Sequence, residues 1–414
     1  MNKVLKAAIR RMSHHQGDMT QDYEKSRKKE KMYPYYKGRS CNTMDRVLHV
    51  EDHEILLRTF SFDGKIAPVI LFFHGGGFVT GDFDSYGNVC ANLSERTGYK
   101  VVSVNYRLAP EHKFPQGLMD CYAAMQAVLE HCEDWYQVKP EDVVIMGDSA
   151  GGTICSVLGM MARDKKERMP RRQVLIYPAA YGSYGEENPY PSMEVNGSDY
   201  LLTRALMCEY MELYRNSEED LNNPYFAPLR NKDFSNLPET LVITMEYDPL
   251  RDEGEALGVK MKEAGCQVTF CRVDDGIHGM VLLPPVFPGA KEIYQAIESF
   301  LCPVAEEFYL THYAQREASE TSRLPGTESG SVKNNKSEPD DQKENRKESG
   351  KQRRKEEKRQ EKEEKRREKE KRKKEKSENE NIEREPAKGS GWQAPELSKE
   401  KENDGNNKSE AMEP

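Results

Sequence analysis

Gly147-Asp148-Ser149-Ala150-Gly151-Gly152 is the stretch on which the fold turns. It follows the apolar run Val143-Val144-Ile145-Met146, suited to a buried parallel strand, and precedes small residues from Thr153 to Met161 that suit a helix. A serine on a tight strand-to-helix turn needs small neighbours, because the backbone there leaves no room for a Cβ two residues away on either side. Gly147 and Gly151 occupy those positions. The turn predicts a Ser149 hydroxyl lifted clear of the sheet and an Ala150 N–H aimed at the same point. Glycines flank serines in many turns, so the rest of the chain has to supply the context.

That context lies upstream. Val69-Ile70-Leu71-Phe72-Phe73 is a second short apolar run, and it ends in His74-Gly75-Gly76-Gly77-Phe78. Consecutive glycines after a strand can turn their N–H groups toward a ligand with no side chain in the way. Acyl transfer needs such donors for the oxyanion of its tetrahedral intermediate, and losing one costs about 3 kcal/mol. Gly75 and Gly76, with Ala150, are the expected donors. A phosphate cradle would use the same glycines, but no Gly-Lys-Ser/Thr follows them, and G-x-G-x-x-G is not present in its required setting.

Taken together, the two motifs resemble the hormone-sensitive-lipase-like family of α/β-hydrolase esterases, in the branch with Gly-Asp-Ser-Ala-Gly at the elbow. Three further stretches carry the likeness in the same order: Asn105-Tyr106-Arg107-Leu108-Ala109-Pro110-Glu111 with Phe114-Pro115, then Glu246-Tyr247-Asp248-Pro249-Leu250-Arg251-Asp252-Glu253, then Ile277-His278-Gly279. The match runs from about residue 50 to residue 302. It implies an α/β-hydrolase fold, a serine esterase, and a cap over the active site to which the N-terminal segment contributes.

Serine is a weak nucleophile at neutral pH and needs a general base, for which histidine has the suitable pKa. Nine histidines compete. His14, His15, His49, His53, His112 and His131 precede the elbow or sit in polar stretches, His74 belongs to the glycine loop, and His312 lies past the last core helix. His278 remains, in a loop after the strand-like Val268-Thr269-Phe270-Cys271. The order serine, acid, histidine is that of α/β-hydrolases. For the acid, Asp248 sits just past the apolar run Leu241–Met245, where open α/β sheets place working residues. Asp252, Glu253, Asp274 and Asp275 compete by position. Asp252 and Glu253 fall in the first turn of the next helix, where acids favour the dipole. The family pattern also points to Asp248.

Composition separates two objects. The 414 residues carry a formal charge of −9 and 36% hydrophobic residues, low for a wholly globular chain. The deficit is concentrated in residues 315–414, which hold 28 Lys+Arg against 26 Asp+Glu and no aliphatic or aromatic residue between Val332 and Ile382. The remainder is acidic, which gives no reason to expect nucleic-acid binding. Residues 321–350 read as disordered linker, and 351–376 as a solvated helix with pairs such as Glu361/Lys365 and Glu370/Lys374. No a/d heptad argues for a coiled coil, and no partner for this tail is legible.

The nine cysteines form no C-x-x-C pair and no metal spacing, as suits a reducing cytoplasm. The N-terminal Met1–Met12 is basic and faintly amphipathic but lacks the continuous apolar core of a signal peptide, and no run of about 18 apolar residues occurs. Strand-like runs near 54–60, 69–73, 101–104, 143–146, 173–177, 241–245 and 268–272 alternate with helix-like ones near 115–131, 149–163, 253–264 and 289–302. That alternation predicts a mostly parallel sheet with helices on both faces. The expected division is a cap segment over 1–45, a catalytic domain over 46–314 with a cap insertion at about 180–230, and the charged tail over 315–414. Phe78, Tyr177 and Met280 are expected pocket walls, with core packing as the equal alternative. Tyr181, Tyr184, Tyr190, Tyr200, Tyr210 and Tyr214 suggest an aromatic enclosure.

The function expected is a carboxylesterase acting on short-to-medium acyl esters through an acyl-enzyme, with a small-molecule ester as partner and no metal or organic cofactor. The same triad would serve an amide deacetylase. A hydrolase-fold binding protein without chemistry is the remaining class; relatives of that kind lack the catalytic histidine, which this chain keeps. A homodimer is left open.

Overall fold

In the computed structural model the described residues are 3–14, 17–30, 41–50, 52–62 and 65–302; the charged tail and its expected helix lie outside them. One sheet has eight strands: β1 (Asn42–Val50), β2 (His53–Ser61), β3 (Val69–Phe73), β4 (Lys100–Asn105), β5 (Val143–Asp148), β6 (Arg172–Ile176), β7 (Glu239–Tyr247) and β8 (Val268–Ile277). Across the sheet they run β1-β2-β4-β3-β5-β6-β7-β8. β2 is antiparallel to β1 and β4, and every pairing from β4 to β8 is parallel. This is the mostly parallel α/β-hydrolase sheet that the alternating pattern predicts.

The helices are α1 (Lys3–Ser13), α2 (Met19–Glu30), α3 (Gly87–Thr97), α4 (Gln116–Tyr136), α5 (Ala150–Lys165), α6 (Pro191–Asn196), α7 (Arg204–Tyr214), α8 (Arg251–Glu263) and α9 over 288–302. Every residue of β3 and β5 is buried, because helices cover both faces and leave no solvent side for polar alternation. One face packs on α4, α5 and α8 through residues such as Met125, Val128, Leu158 and Leu257. The other packs on α3 and α9 through Val89, Leu93, Ile293 and Ile297. No described helix is long and apolar enough to cross a membrane.

Besides the cap-region helices α2 and α6, two elements of the sheet and its cover went unforeseen. β1 is a half-exposed edge strand whose Asp45 takes the Arg58 guanidinium at 2.7 Å, so polar residues stand where an apolar alternation would announce a strand. It starts at Asn42, inside the stretch expected to belong to the cap. α3 is built from Asn, Ser, Ala and Gly around a narrow apolar stripe of Val89, Cys90 and Leu93, too weak for a periodic signal.

The stretch after β4 is scaffolding. Asp120 of α4 is 1% exposed and accepts from the Arg107 backbone N–H at 3.0 Å and its guanidinium at 2.7–3.2 Å. Tyr106 donates its hydroxyl to His74 O at 2.8 Å and stacks on the His74 ring at 4.4 Å. The glycine loop therefore leaves β3 over a packed floor.

Candidate active site

Ser149 stands between β5 and α5 at φ 54, ψ −120, the strained turn expected of a nucleophile elbow. Its N–H donates to Ile176 O at 2.8 Å, tying the turn to the neighbouring strand. A Cβ on Gly147 would meet Phe73 O at 2.6 Å, and one on Gly151 would collide with the same oxygen. Both glycines are required because the elbow presses against the end of β3.

Three side chains from separate motifs meet here. His278 Nε2 lies 2.9 Å from Ser149 Oγ, and His278 Nδ1 lies 2.7 Å from Asp248 Oδ2. Asp248 is fully buried just beyond β7; its other oxygen accepts the Leu250 N–H at 2.8 Å, which fixes the carboxylate plane. His278 follows β8, whose pairing with β7 is irregular between Met245 and Tyr247. The competing acids have other partners. Asp252 accepts from Ser192 N–H and Arg251, while Asp275 donates its own N–H to Glu246. Glu253 is buried beneath 180–184, accepting from Ala180 N–H at 2.6 Å, Tyr181 N–H at 3.3 Å and the Tyr184 hydroxyl at 2.9 Å through one oxygen. Its second oxygen has no partner among the described residues, and burial pushes the carboxyl up to about 7.

The glycine loop differs by one residue from expectation. The Gly75 N–H donates to Asp148 Oδ1 at 2.9 Å, so it is already engaged. Gly76 and Gly77, at φ 110 and 62, border the cavity together with Ser149 and Ala150. An L side chain at Gly77 would also collide with the Tyr210 ring. Of the expected donors, Gly76 and Ala150 thus border the cavity beside Ser149, as Gly77 does, while the Gly75 N–H is engaged by Asp148. Asp148, which sequence reasoning treated only as part of the elbow motif, joins the two motifs. Besides Gly75, its carboxylate accepts from the hydroxyls of Tyr86 at 3.1 Å and Tyr177 at 3.3 Å. Burial pushes its carboxyl up to about 6.

A cavity of about 1140 Å³ opens at Ser149. Leu202, Met207, Tyr210 and Met211, from and beside α7, form one wall; α3 and the 282–285 loop form another. Phe78 lines it and stacks on Tyr214 at 3.9 Å. Tyr177 does not line it: the ring is fully buried beneath His278, 4.5 Å away, where its hydroxyl reaches Asp148. Met280 does not line it either, because its side chain turns into the packing around Ile277 and Tyr200. Of the six tyrosines expected to enclose the cavity, Tyr210 alone borders it. Tyr184, Tyr200 and Tyr214 are buried in the packing behind.

Known proteins share this arrangement's sequence and shape. A family model of the α/β-hydrolase fold matches residues 70–282. The chain is 33% identical over 244 residues to an arylesterase of Saccharolobus solfataricus, spanning 58% of this chain and 78% of that protein. It is 31% identical over 224 residues to the ethyl acetate hydrolase of Pseudomonas putida, spanning 54% and 69%. The crystal structure of the hyperthermophilic esterase from the archaeon Pyrobaculum calidifontis matches with a TM-score of 0.64 at 33% identity, over 74% of this chain and 99% of that one.

Proposed function

This chain belongs to the hormone-sensitive-lipase-like family of α/β-hydrolase esterases and is a carboxylic ester hydrolase, and from that premise we propose that Ser149, His278 and Asp248 are its nucleophile, general base and orienting acid. The observation that carries the assignment is the unbroken contact from Ser149 Oγ through His278 to the buried Asp248 carboxylate, at 2.9 and 2.7 Å. Ser149 Oγ attacks the ester carbonyl while His278 Nε2 takes its proton. Asp248 holds the Nδ1–H tautomer and stabilises the imidazolium that forms. The N–H groups of Gly76, Gly77 and Ala150 receive the oxyanion. His278 then hands its proton to the departing alkoxide, leaving an acyl-Ser149 ester that water hydrolyses by the same steps.

We read α1, α2 and the 180–230 insertion as a cap that closes the cavity above Ser149. The wall formed by Leu202, Met207, Tyr210 and Met211 supports a preference for short-to-medium acyl chains. Nine cysteines with no C-x-x-C pair support a reducing, cytoplasmic setting.

Two measurements test the reading. A fluorophosphonate should label Ser149 alone, and Ser149→Ala should abolish hydrolysis of p-nitrophenyl butyrate without changing the melting temperature. Across acyl lengths, kcat/KM should peak between acetyl and hexanoyl, each fitting methylene adding at most about 0.8 kcal/mol. A label elsewhere sinks the mechanism, and a profile still rising at dodecanoyl sinks the short pocket.

A further inference from the structure

A run of three glycines has no side chains to hold it and wide backbone freedom, so the loop that carries Gly76 and Gly77 must be fixed through its own carbonyls and N–H groups. Part of that fixing comes from the sheet domain. Gly75 N–H donates to Asp148, and Phe78 O accepts from Ala109 N–H at 2.9 Å. The outer arm of the loop is held by α2. Arg27 Nε donates to Val79 O at 2.7 Å, and Glu30 Oε2 accepts from Gly81 N–H at 3.0 Å. These two residues stand one turn apart on the same face of α2 and grip the residues on either side of Thr80. Thr80 N–H in turn donates to Gly76 O at 2.8 Å, and a Cβ on Gly76 would run into the Thr80 carbonyl.

The Arg27 fork is itself fixed. Nη2 donates to Ala109 O at 2.7 Å, and Nη1 and Nη2 each lie 2.9 Å from the Glu111 carboxylate. One guanidinium thus joins the glycine loop to the strand-end segment beneath it. α2 contributes no fully buried residue: Met19 and Tyr23 near its start pack partly buried against the core, and Arg27 and Glu30 near its end attach through polar contacts.

We propose that Arg27 and Glu30 are positioning residues for the oxyanion hole, which act through Val79, Thr80 and Gly81 to set the backbone of Gly76 and Gly77. The proposal rests on the reading of Gly76, Gly77 and Ala150 as the oxyanion donors. Such donors stabilise the transition state only when aimed at where the oxyanion forms, so loosening the loop lowers turnover more than substrate binding.

The test uses the full chain and p-nitrophenyl butyrate. Arg27→Ala should lower kcat by about tenfold to a hundredfold with KM changed less than about threefold. Affinity for a trifluoromethyl ketone, which forms a tetrahedral adduct on Ser149, should fall by the same factor as kcat/KM. Glu30→Leu should act in the same direction. Glu30→Gln, whose carboxamide oxygen still accepts from Gly81, should restore most of the turnover. The double variant Arg27→Ala/Glu30→Leu should lose less than the product of the two single losses, because both act on one turn. A raised KM at unchanged kcat, or equal turnover in Glu30→Leu and wild type, overturns the proposal. If Arg27→Ala fails to fold, the comparison of Glu30→Leu with Glu30→Gln decides alone. A wild-type protein that hydrolyses no ester would instead overturn the functional reading.

Discussion

Glu253 makes the stability of this protein depend on pH in a calculable direction. The carboxyl is fully buried, one oxygen takes three donors, the other takes none, and its pKa is pushed up to about 7, by burial first and by the nearby Asp248 last. In the unfolded chain the same group titrates near about 4.3. Between those values the native state holds a proton that the unfolded state has released, so stability falls as pH rises through this window. About 2.7 units at 1.36 kcal/mol each gives a loss on the order of 3 kcal/mol between pH 4.5 and pH 8. Glu253→Gln keeps an acceptor for Ala180, Tyr181 and Tyr184 but cannot ionise, and its amide group replaces one partnerless atom with another. Its absolute stability is therefore not the readout; its pH slope is. Melting temperatures of both proteins should be taken from pH 4.5 to 8.5, where about 2–4 °C per kcal/mol applies to a domain of this size. The gap between Glu253→Gln and wild type should move by roughly 6–12 °C in favour of the variant as pH rises. A gap independent of pH would refute the reasoning, since it would mean that Glu253 titrates alike in the folded and unfolded states.

The acid assignment has its own check. Asp248→Asn should cut kcat by about ten-thousandfold through the wrong His278 tautomer, with the fold retained. Asp252→Asn, which touches Ser192 and Arg251 rather than the histidine, should stay within about tenfold of wild type, and a reversal of the two would move the acid.

What could be read from the chain depended on how far each residue lies from a strand end. Ser149 and Asp248 stand just past apolar runs and His278 just past the end of β8, so short motifs placed them in one neighbourhood, and the structure brings them within hydrogen-bonding distance. Within the glycine loop the same logic fails. Which N–H groups face the nucleophile depends on the φ of each glycine and on Asp148 engaging Gly75, neither of which has a sequence signature. Tyr177 and Met280 follow motifs as closely as Phe78 does, yet they turn inward, because a position after a strand specifies a place and not a side-chain direction. Arg27 and Glu30 escaped notice altogether. They reach backbone atoms about fifty residues away, and a contact to a carbonyl or an N–H leaves no trace in the identity of its partner.

The attachment of α2 also bears on how this protein could be recombined with its relatives. Helices outside the sheet look like modules that could be exchanged to alter which esters enter, while the strand ends keep the chemistry. Here the exchange would not be clean. A donor helix lacking an arginine and a glutamate in the Arg27 and Glu30 positions would leave Val79 O, Ala109 O and Gly81 N–H without their partners. A chimera would need to carry residues 79–81 and 109–111 across together with α2, so the unit of grafting is a set of three sequence-distant pieces and not the helix alone.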